Sequence, residues 1–234
     1  MSILRPTTAA RATIGVLLIL CLGASPGISA ERIEGKIRLV EKGNDKTRRE
    51  ARHAVVYFRP QEPVEVEPAA EPFEIATVRK EFLPRVLTVP VGSTVRFPNQ
   101  DPILHNVFSV SGKNRFDLGL YRGGEAKGTV FHEPGIVRVF CNVHHSMVAY
   151  VVVVDTPYYA TLDSQGAFEI TGLPPGPGEL TVWHERAEPK TLRYVVGSGG
   201  TLDLELAITK PRVPRHRNKF GKPYGRKRRG KAYP

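Results

Sequence analysis

At 234 residues, 41% of them hydrophobic and 24% charged, the chain has the apolar content of one or two globular domains, which excludes a wholly disordered or fibrous protein. The net charge of +11 is uneven: residues 210–234 hold eleven Lys or Arg and no Asp or Glu, so the sequence pI of about 9.8 reports the ends and not the body. Two cysteines, Cys21 and Cys141, exclude a scaffold stapled by several disulfides.

Residues 1–30 read as a secretory signal peptide. Arg5 and Arg11 precede a short apolar run at 14–22, and Ile28-Ser29-Ala30 forms a small-residue cleavage site. The run is far shorter than the ~20 residues a membrane-spanning helix needs. Cleavage near Ala30 would deliver the chain to the periplasm or the exterior and leave Cys141 as its single thiol. In an oxidising compartment, burial or a metal would protect that thiol.

The mature sequence reads as short strands separated by turns. Residues 31–60 hold two strands, 33–40 and 54–58, joined by the polar stretch 41–53. Residues 61–73, rich in Pro and Glu, read as a linker. Strands resume at 75–78, 86–89 and 95–97, with turns at Pro90-Val91-Gly92-Ser93 and at 99–101, just ahead of His105. The polar, glycine-rich residues 119–128 read as a surface loop. Val137 and Val139 alternate with Arg138 and Phe140 behind the Pro134-Gly135 turn, and a second apolar strand follows at 148–154. Residues 158–162 and 167–170 flank Asp163-Ser164-Gln165-Gly166 as a hairpin. Residues 173–178 form a rigid turn before a strand at 180–183, and 202–208 alternate as an amphipathic edge strand. Residues 210–234 lack apolar periodicity and are expected to be disordered. No window carries a helical period. The fold class is all-β, of the sandwich or barrel kind.

Chemistry concentrates between the strands at 137–140 and 148–154. Cys141, His144 and Met147 stand at C-x2-H-x2-M, a thiolate, an imidazole and a thioether on one loop. Such soft donors suit copper better than magnesium or calcium. A fourth ligand should come from a distant loop, and His105 is the candidate. His145, beside His144, competes with it, although the C-x2-H interval favours His144. His132 is expected to be exposed, and His53 and His184 receive no metal role.

Residues 74–156 resemble the cupredoxins, plastocyanin-like blue copper domains. The resemblance rests on Phe82-Leu83-Pro84, Val86-Leu87-Thr88-Val89 and Gly92-Ser93-Thr94-Val95, then on Phe97-Pro98-Asn99-Gln100-Asp101 leading to His105-Asn106-Val107. It is completed by Phe131, Pro134-Gly135 and Cys141-Asn142-Val143-His144. It implies a Greek-key sandwich holding one copper ion through equatorial His105, Cys141 and His144 and axial Met147. It also implies that Asn106 bridges towards the cysteine loop, with Asn142 a further tie between the loops.

Residues 31–60 and 157–209 resemble the two parts of a carboxypeptidase-regulatory-like (prealbumin-type) sandwich. The residues are Gly35-Lys36-Ile37 and Ala54-Val55-Val56-Tyr57-Phe58-Arg59-Pro60 in the first part. In the second they are Thr161 to Phe168, Leu173-Pro174-Pro175-Gly176 and Leu180 to His184. The copper domain would then be inserted into this second small antiparallel sandwich, or the two would stand in tandem. The layout resembles secreted bacterial proteins of methylamine-utilisation or plastocyanin-like type.

The function expected is periplasmic one-electron transfer by a type 1 copper protein, not an enzyme. The alternatives are copper handling, as a chaperone, buffer or sensor, and a metal-free structural β-protein. The basic tail would dock an acidic redox partner or an anionic membrane surface, and no nucleic acid is expected.

Overall fold

The computed structural model describes residues 31–41 and 50–224 and is built of β-strands. The expected signal peptide and residues 225–234 of the basic tail lie outside the described residues.

Two sheets are made from the two ends of the sequence. The strands β1 (Glu31–Val40), β2 (Val55–Pro60), β13 (Tyr159–Thr161), β14 (Ala167–Leu173), β15 (Gly176–Trp183), β16 (Lys190–Val196) and β17 (Leu202–Ala207) pair in the orders β14-β1-β17 and β13-β2-β15-β16. In β1, Ile33, Ile37 and Leu39 point inward while Arg38 and Val40 point out, the two-residue period expected of a sheet with one covered face. They meet Phe58, Phe168, Ile170, Leu180 and Val182 in a single core. As the alternation at 202–208 indicates, β17 is an edge strand, and it runs parallel to β1.

Between these ends, ten strands pair among themselves. They are β3 (Phe73–Glu74), β4 (Ala76–Val78), β5 (Glu81–Leu83), β6 (Val86–Pro90), β7 (Thr94–Pro98), β8 (His105–Ser109), β9 (Phe116–Tyr121), β10 (Ala126–Val130), β11 (Gly135–Phe140) and β12 (Val148–Val154). The largest sheet has the order β6-β12-β11-β8-β9, and β10-β7-β3 is a second. Every residue of β12 is buried. Its two faces serve different cores: Ala149, Val151 and Val153 pack with Phe97, Phe131 and Val139. Val148, Tyr150, Val152 and Val154 pack with Val55 and Trp183 of the outer sheets. A strand covered on both sides reads as a continuous apolar run. The same boundary holds a buried ion pair, Arg85 Nε to both oxygens of Glu185 at 2.7 and 2.9 Å.

Four expectations are corrected. Residues 158–162 and 167–170 do not form a hairpin ladder: β13 pairs with β2 and β14 with β1, so the turn at Asp163–Gly166 sends the chain from one sheet to the other. The supposed surface loop 119–128 is the end of β9, a turn at Gly123-Gly124 and the start of β10. The supposed turn 173–178 already belongs to β15 from Gly176 onward, paired with β16. Residues 210–224 of the tail, expected to be disordered, pack against the body: the Arg85 guanidinium donates to the Arg212 carbonyl, and Val213 joins the apolar boundary.

Candidate metal centre

His105 is the first residue of β8, and the loop before it is fixed by side chains. Asn99 donates from Nδ2 to the Ile103 and Tyr121 carbonyls at 2.9 and 3.3 Å, and its Oδ1 accepts the Asp101 amide at 3.0 Å. Asn and Asp favour such turns because a short polar side chain can imitate a backbone partner. Asp101 accepts from the Arg79 and Lys80 amides at 2.5 and 2.8 Å. Those two residues form the tight connection between β4 and β5, with φ of 50° and 61°. Neither is a glycine, and the left-handed region costs about 1–2 kcal/mol per residue. The Asp101 carboxylate offsets part of that cost by accepting from both.

The same carboxylate faces His105 Nε2 at 2.9 Å. Burial alone would raise the Asp101 pKa, but the Lys80 and Arg79 amides and His105 together hold it below the usual carboxylate range. Burial dominates at His105 and lowers its pKa despite Asp101, so the ring is neutral. An ionised carboxylate only accepts, so Nε2 carries the proton and Nδ1 presents a lone pair. Nδ1 points to Cys141: the Nδ1 to Sγ separation is 3.7 Å.

Cys141 follows β11 directly and is fully buried. Its loop closes on itself, with the Cys141 amide donating to the Met147 carbonyl at 3.3 Å and the Met147 amide to the His144 carbonyl at 3.1 Å. His144 Nδ1 lies 3.9 Å from Cys141 Sγ, and the His105 and His144 rings are 4.9 Å apart. One donor atom from each of His105, Cys141 and His144 falls within 4.8 Å of the others, the one such group among the described residues. Met147 is buried beside Cys141 in the same core.

These distances test the donor set. With a metal–sulfur bond of about 2.3 Å and a metal–nitrogen bond of about 2.0 Å, donors 120° apart stand about 3.7 Å from one another, against about 3.5 Å for a tetrahedron. The two sulfur–nitrogen separations, 3.7 and 3.9 Å, are in the range that sulfur and nitrogen donors of one metal ion span, and all three donor atoms lie within 4.8 Å of one another. The residues present therefore fit a metal ion held by two imidazoles and a thiolate.

His145 is not in the cluster; its ring stacks on His216 at 4.5 Å. His132 is exposed, as expected. His184 is buried and bonded to the Glu50 carbonyl, while His53 lies by Glu185. Asn106 does not bridge to the cysteine loop: its Nδ2 donates to Asp117 and to the Gly119 carbonyl at 2.7 and 2.9 Å, tying β8 to β9. Asn142 accepts the Lys219 amide at 3.0 Å, a tie to the tail instead of to the His105 loop. Sequence reasoning missed the part played by Asp101. The signal was present, an acid four residues before a histidine within an Asn-Gln-Asp turn.

No protein-family model matches the chain, and no curated protein matches it. Among solved structures, a purple cupredoxin from Nitrosopumilus maritimus is 26% identical over 35% of this chain and 99% of its own, with a TM-score of 0.32. A reduced amicyanin variant is 24% identical over 42% of this chain and 98% of its own, with a TM-score of 0.34. A copper-containing nitrite reductase from Thermus scotoductus is 25% identical over 50% of this chain and 28% of its own, with a TM-score of 0.35.

Proposed function

We propose that the chain is a cupredoxin-type protein that would hold one copper ion through His105, Cys141 and His144, with Met147 as a weak fourth donor, and would carry single electrons. The observation that supports this is the convergence of Nδ1, Sγ and Nδ1 from two loops about 36 residues apart to within 4.8 Å of one another. A thiolate with two imidazoles and a distant thioether is the donor set of electron-transfer copper. Copper bound there supplies reversible one-electron oxidation and reduction.

The protein's own residues supply the rest. Asp101 fixes the His105 tautomer and ring plane, as carboxylates behind metal-ligating histidines do. The Phe97, Phe131, Val107 and Tyr121 side chains exclude water from the buried side of the cluster. The backbone bonds within the Cys141–Met147 loop limit its relaxation when the charge at the site changes. Four filled donor positions leave no site for a substrate, so the reading is a carrier and not an enzyme. A buried, metal-bound Cys141 would survive in the oxidising periplasm or exterior, where an acidic redox partner would meet the basic tail.

The test is to add Cu(II) to the purified full chain. An intense visible thiolate-to-copper band that bleaches and returns with reductant and oxidant is the expected result. Cys141→Ser should abolish the band while circular dichroism stays unchanged. A colourless Cu(II) complex would favour copper handling, and no binding would favour a structural β-protein. Unfolding as the sole effect of Cys141→Ser would make the thiol a packing group.

A further inference from the structure

Residues 212–224 cross the outer side of the ligand loop. His216 lies flat between Phe140, the last residue of β11, and His145 in the loop, with ring centroids 4.1 and 4.5 Å away and planes 13° and 8° from parallel. Tyr224 meets His145 and His216 edge-on at 4.9 and 5.2 Å, and its hydroxyl donates to the Cys141 carbonyl at 2.9 Å. Lys219 donates its amide to Asn142 Oδ1 at 3.0 Å and its ammonium to Asp117 at 2.7 Å. Asp117 in turn accepts from Asn106, the neighbour of His105. One segment thus grips residues adjacent to both ligand-bearing stretches.

The segment is shaped for this. His216 Nδ1 is bonded to the Pro214 carbonyl at 2.9 Å, which sets the ring plane. Asn218 Oδ1 accepts from the Phe220 and Lys222 amides, both at 3.0 Å, and the Asn218 amide donates to the Lys222 carbonyl at 2.9 Å, closing a turn. The ligand loop has reason to need support, because Val143, His145 and Ser146 are exposed and loops open locally more readily than strands. An aromatic stack on one side and a hydrogen bond to the cysteine carbonyl restrict that opening where it would spread the donors.

We propose that residues 212–224 are a strap that holds the Cys141–Met147 loop in its metal-binding geometry, with His216 and Tyr224 as positioning residues. They touch no metal; they act through the Phe140, Cys141 and His145 faces of the loop. The proposal rests on the copper reading for its purpose, and its test begins without metal.

The experiment uses the full chain with His216→Ala, His216→Phe or Tyr224→Phe. In the metal-free protein, His216→Ala should speed amide exchange at Cys141 and Met147 by up to about tenfold, the weight of an aromatic stacking contact, while the β15–β16 ladder is unchanged. His216→Phe, which keeps the stack, should restore slow exchange, and Tyr224→Phe should give a smaller increase. In the copper-loaded protein His216→Ala should shift the reduction potential and the paramagnetic resonance signature, and His216→Phe should return both. Unchanged exchange at Cys141 and Met147 overturns the strap. So does a rise spread evenly over all strands, which would mark a general stability residue. A full chain that takes up no copper overturns the metal reading instead, and the metal-free exchange still decides the strap.

Discussion

Asp101 joins two jobs that are separate in most sites. It holds the His105 ring by Nε2 and it accepts both amides of a left-handed Arg79-Lys80 turn. Asp101→Asn keeps the size but offers one acceptor oxygen, leaving an amide or the imidazole unpartnered. Copper affinity should fall by roughly 10–100-fold, the usual effect of losing the group behind a ligating histidine. Unfolding free energy should fall by about 1–3 kcal/mol, the cost of an unsatisfied buried donor. Copper titration and denaturant unfolding measure the two separately. If affinity falls with stability untouched, the turn does not depend on Asp101. That His105, Cys141 and His144 lie together was legible because three donors in C-x2-H-x2-M and one after an Asn-Gln-Asp turn form an unusual pattern. Asp101 was not, because an acid in a turn has an ordinary local use, and its contact with Arg79 and Lys80 spans 22 and 21 residues. Asn106 misled for a related reason: which partner an amide bonds depends on how near β9 runs.

At the scale of strands, the legible ones were those whose period matched their burial. Residues 148–154 were bounded as observed, since seven apolar residues in a row fit only a strand covered on both faces. β16 was missed, as Lys190, Thr191, Arg193 and Val195 are exposed and the remaining alternation is faint. The hairpin at 158–170 failed because a tight turn constrains its own four residues and not which sheet the flanks enter. The Pro-Gly run before Leu180 hid the start of β15 for a packing reason. Gly178 ordinarily would weaken an interior strand, but a Cβ there would overlap the Phe58 ring and the Arg59 carbonyl across the ladder. Gly178→Ala should therefore destabilise by about 1–3 kcal/mol, the range for overpacking a core, and lower the thermal midpoint by several degrees. A midpoint unchanged by calorimetry would mean that the Phe58 ring and the Arg59 carbonyl both give way freely.

Over the whole molecule, the boundary between the outer and inner sheets is held by both apolar contact and buried charge. Arg85 and Glu185 are paired where the Glu185 side chain is 1% exposed. Arg85→Ala should cost up to about 3–5 kcal/mol, since it leaves a buried carboxylate facing only His53, whose Nδ1 is 3.6 Å away, whereas a joint Arg85→Met, Glu185→Leu replacement should recover most of that. Urea unfolding of the three proteins decides it, and equal losses in single and double variants would refute the pairing argument. Acid should destabilise the fold through His184, the neighbour of Glu185. Burial lowers His184 to about 4, only partly opposed by Glu185, so the folded chain stays unprotonated there while the unfolded chain takes up a proton near pH 6.5. Because the unfolded state binds more protons between those values, stability should decline as pH falls from about 6.5 towards 4. His184→Gln should flatten that decline, and an unchanged slope would assign it elsewhere. None of this boundary was visible in the sequence, where Arg85 and Glu185 are 100 residues apart. The basic tail misled in the opposite sense. Its composition is that of a solvated extension, yet a few side chains, His216, Lys219 and Tyr224, are enough to lay residues 212–224 along the body.

The parallel pairing of β1 with β17 joins the two ends of the described sequence into one sheet. A chain emerging from its N-terminus offers β1 early but must wait some 160 residues for the edge that completes its sheet. The ten inner strands are all present well before that, and long-range closure of this kind is slow. His105, Cys141 and His144 are thus all synthesised before residues 212–224, which lie across their loop. On the copper reading proposed above, a chain released up to residue 211 would already hold every donor while the segment that covers their loop is still to come, and that would be the stage most open to a metal.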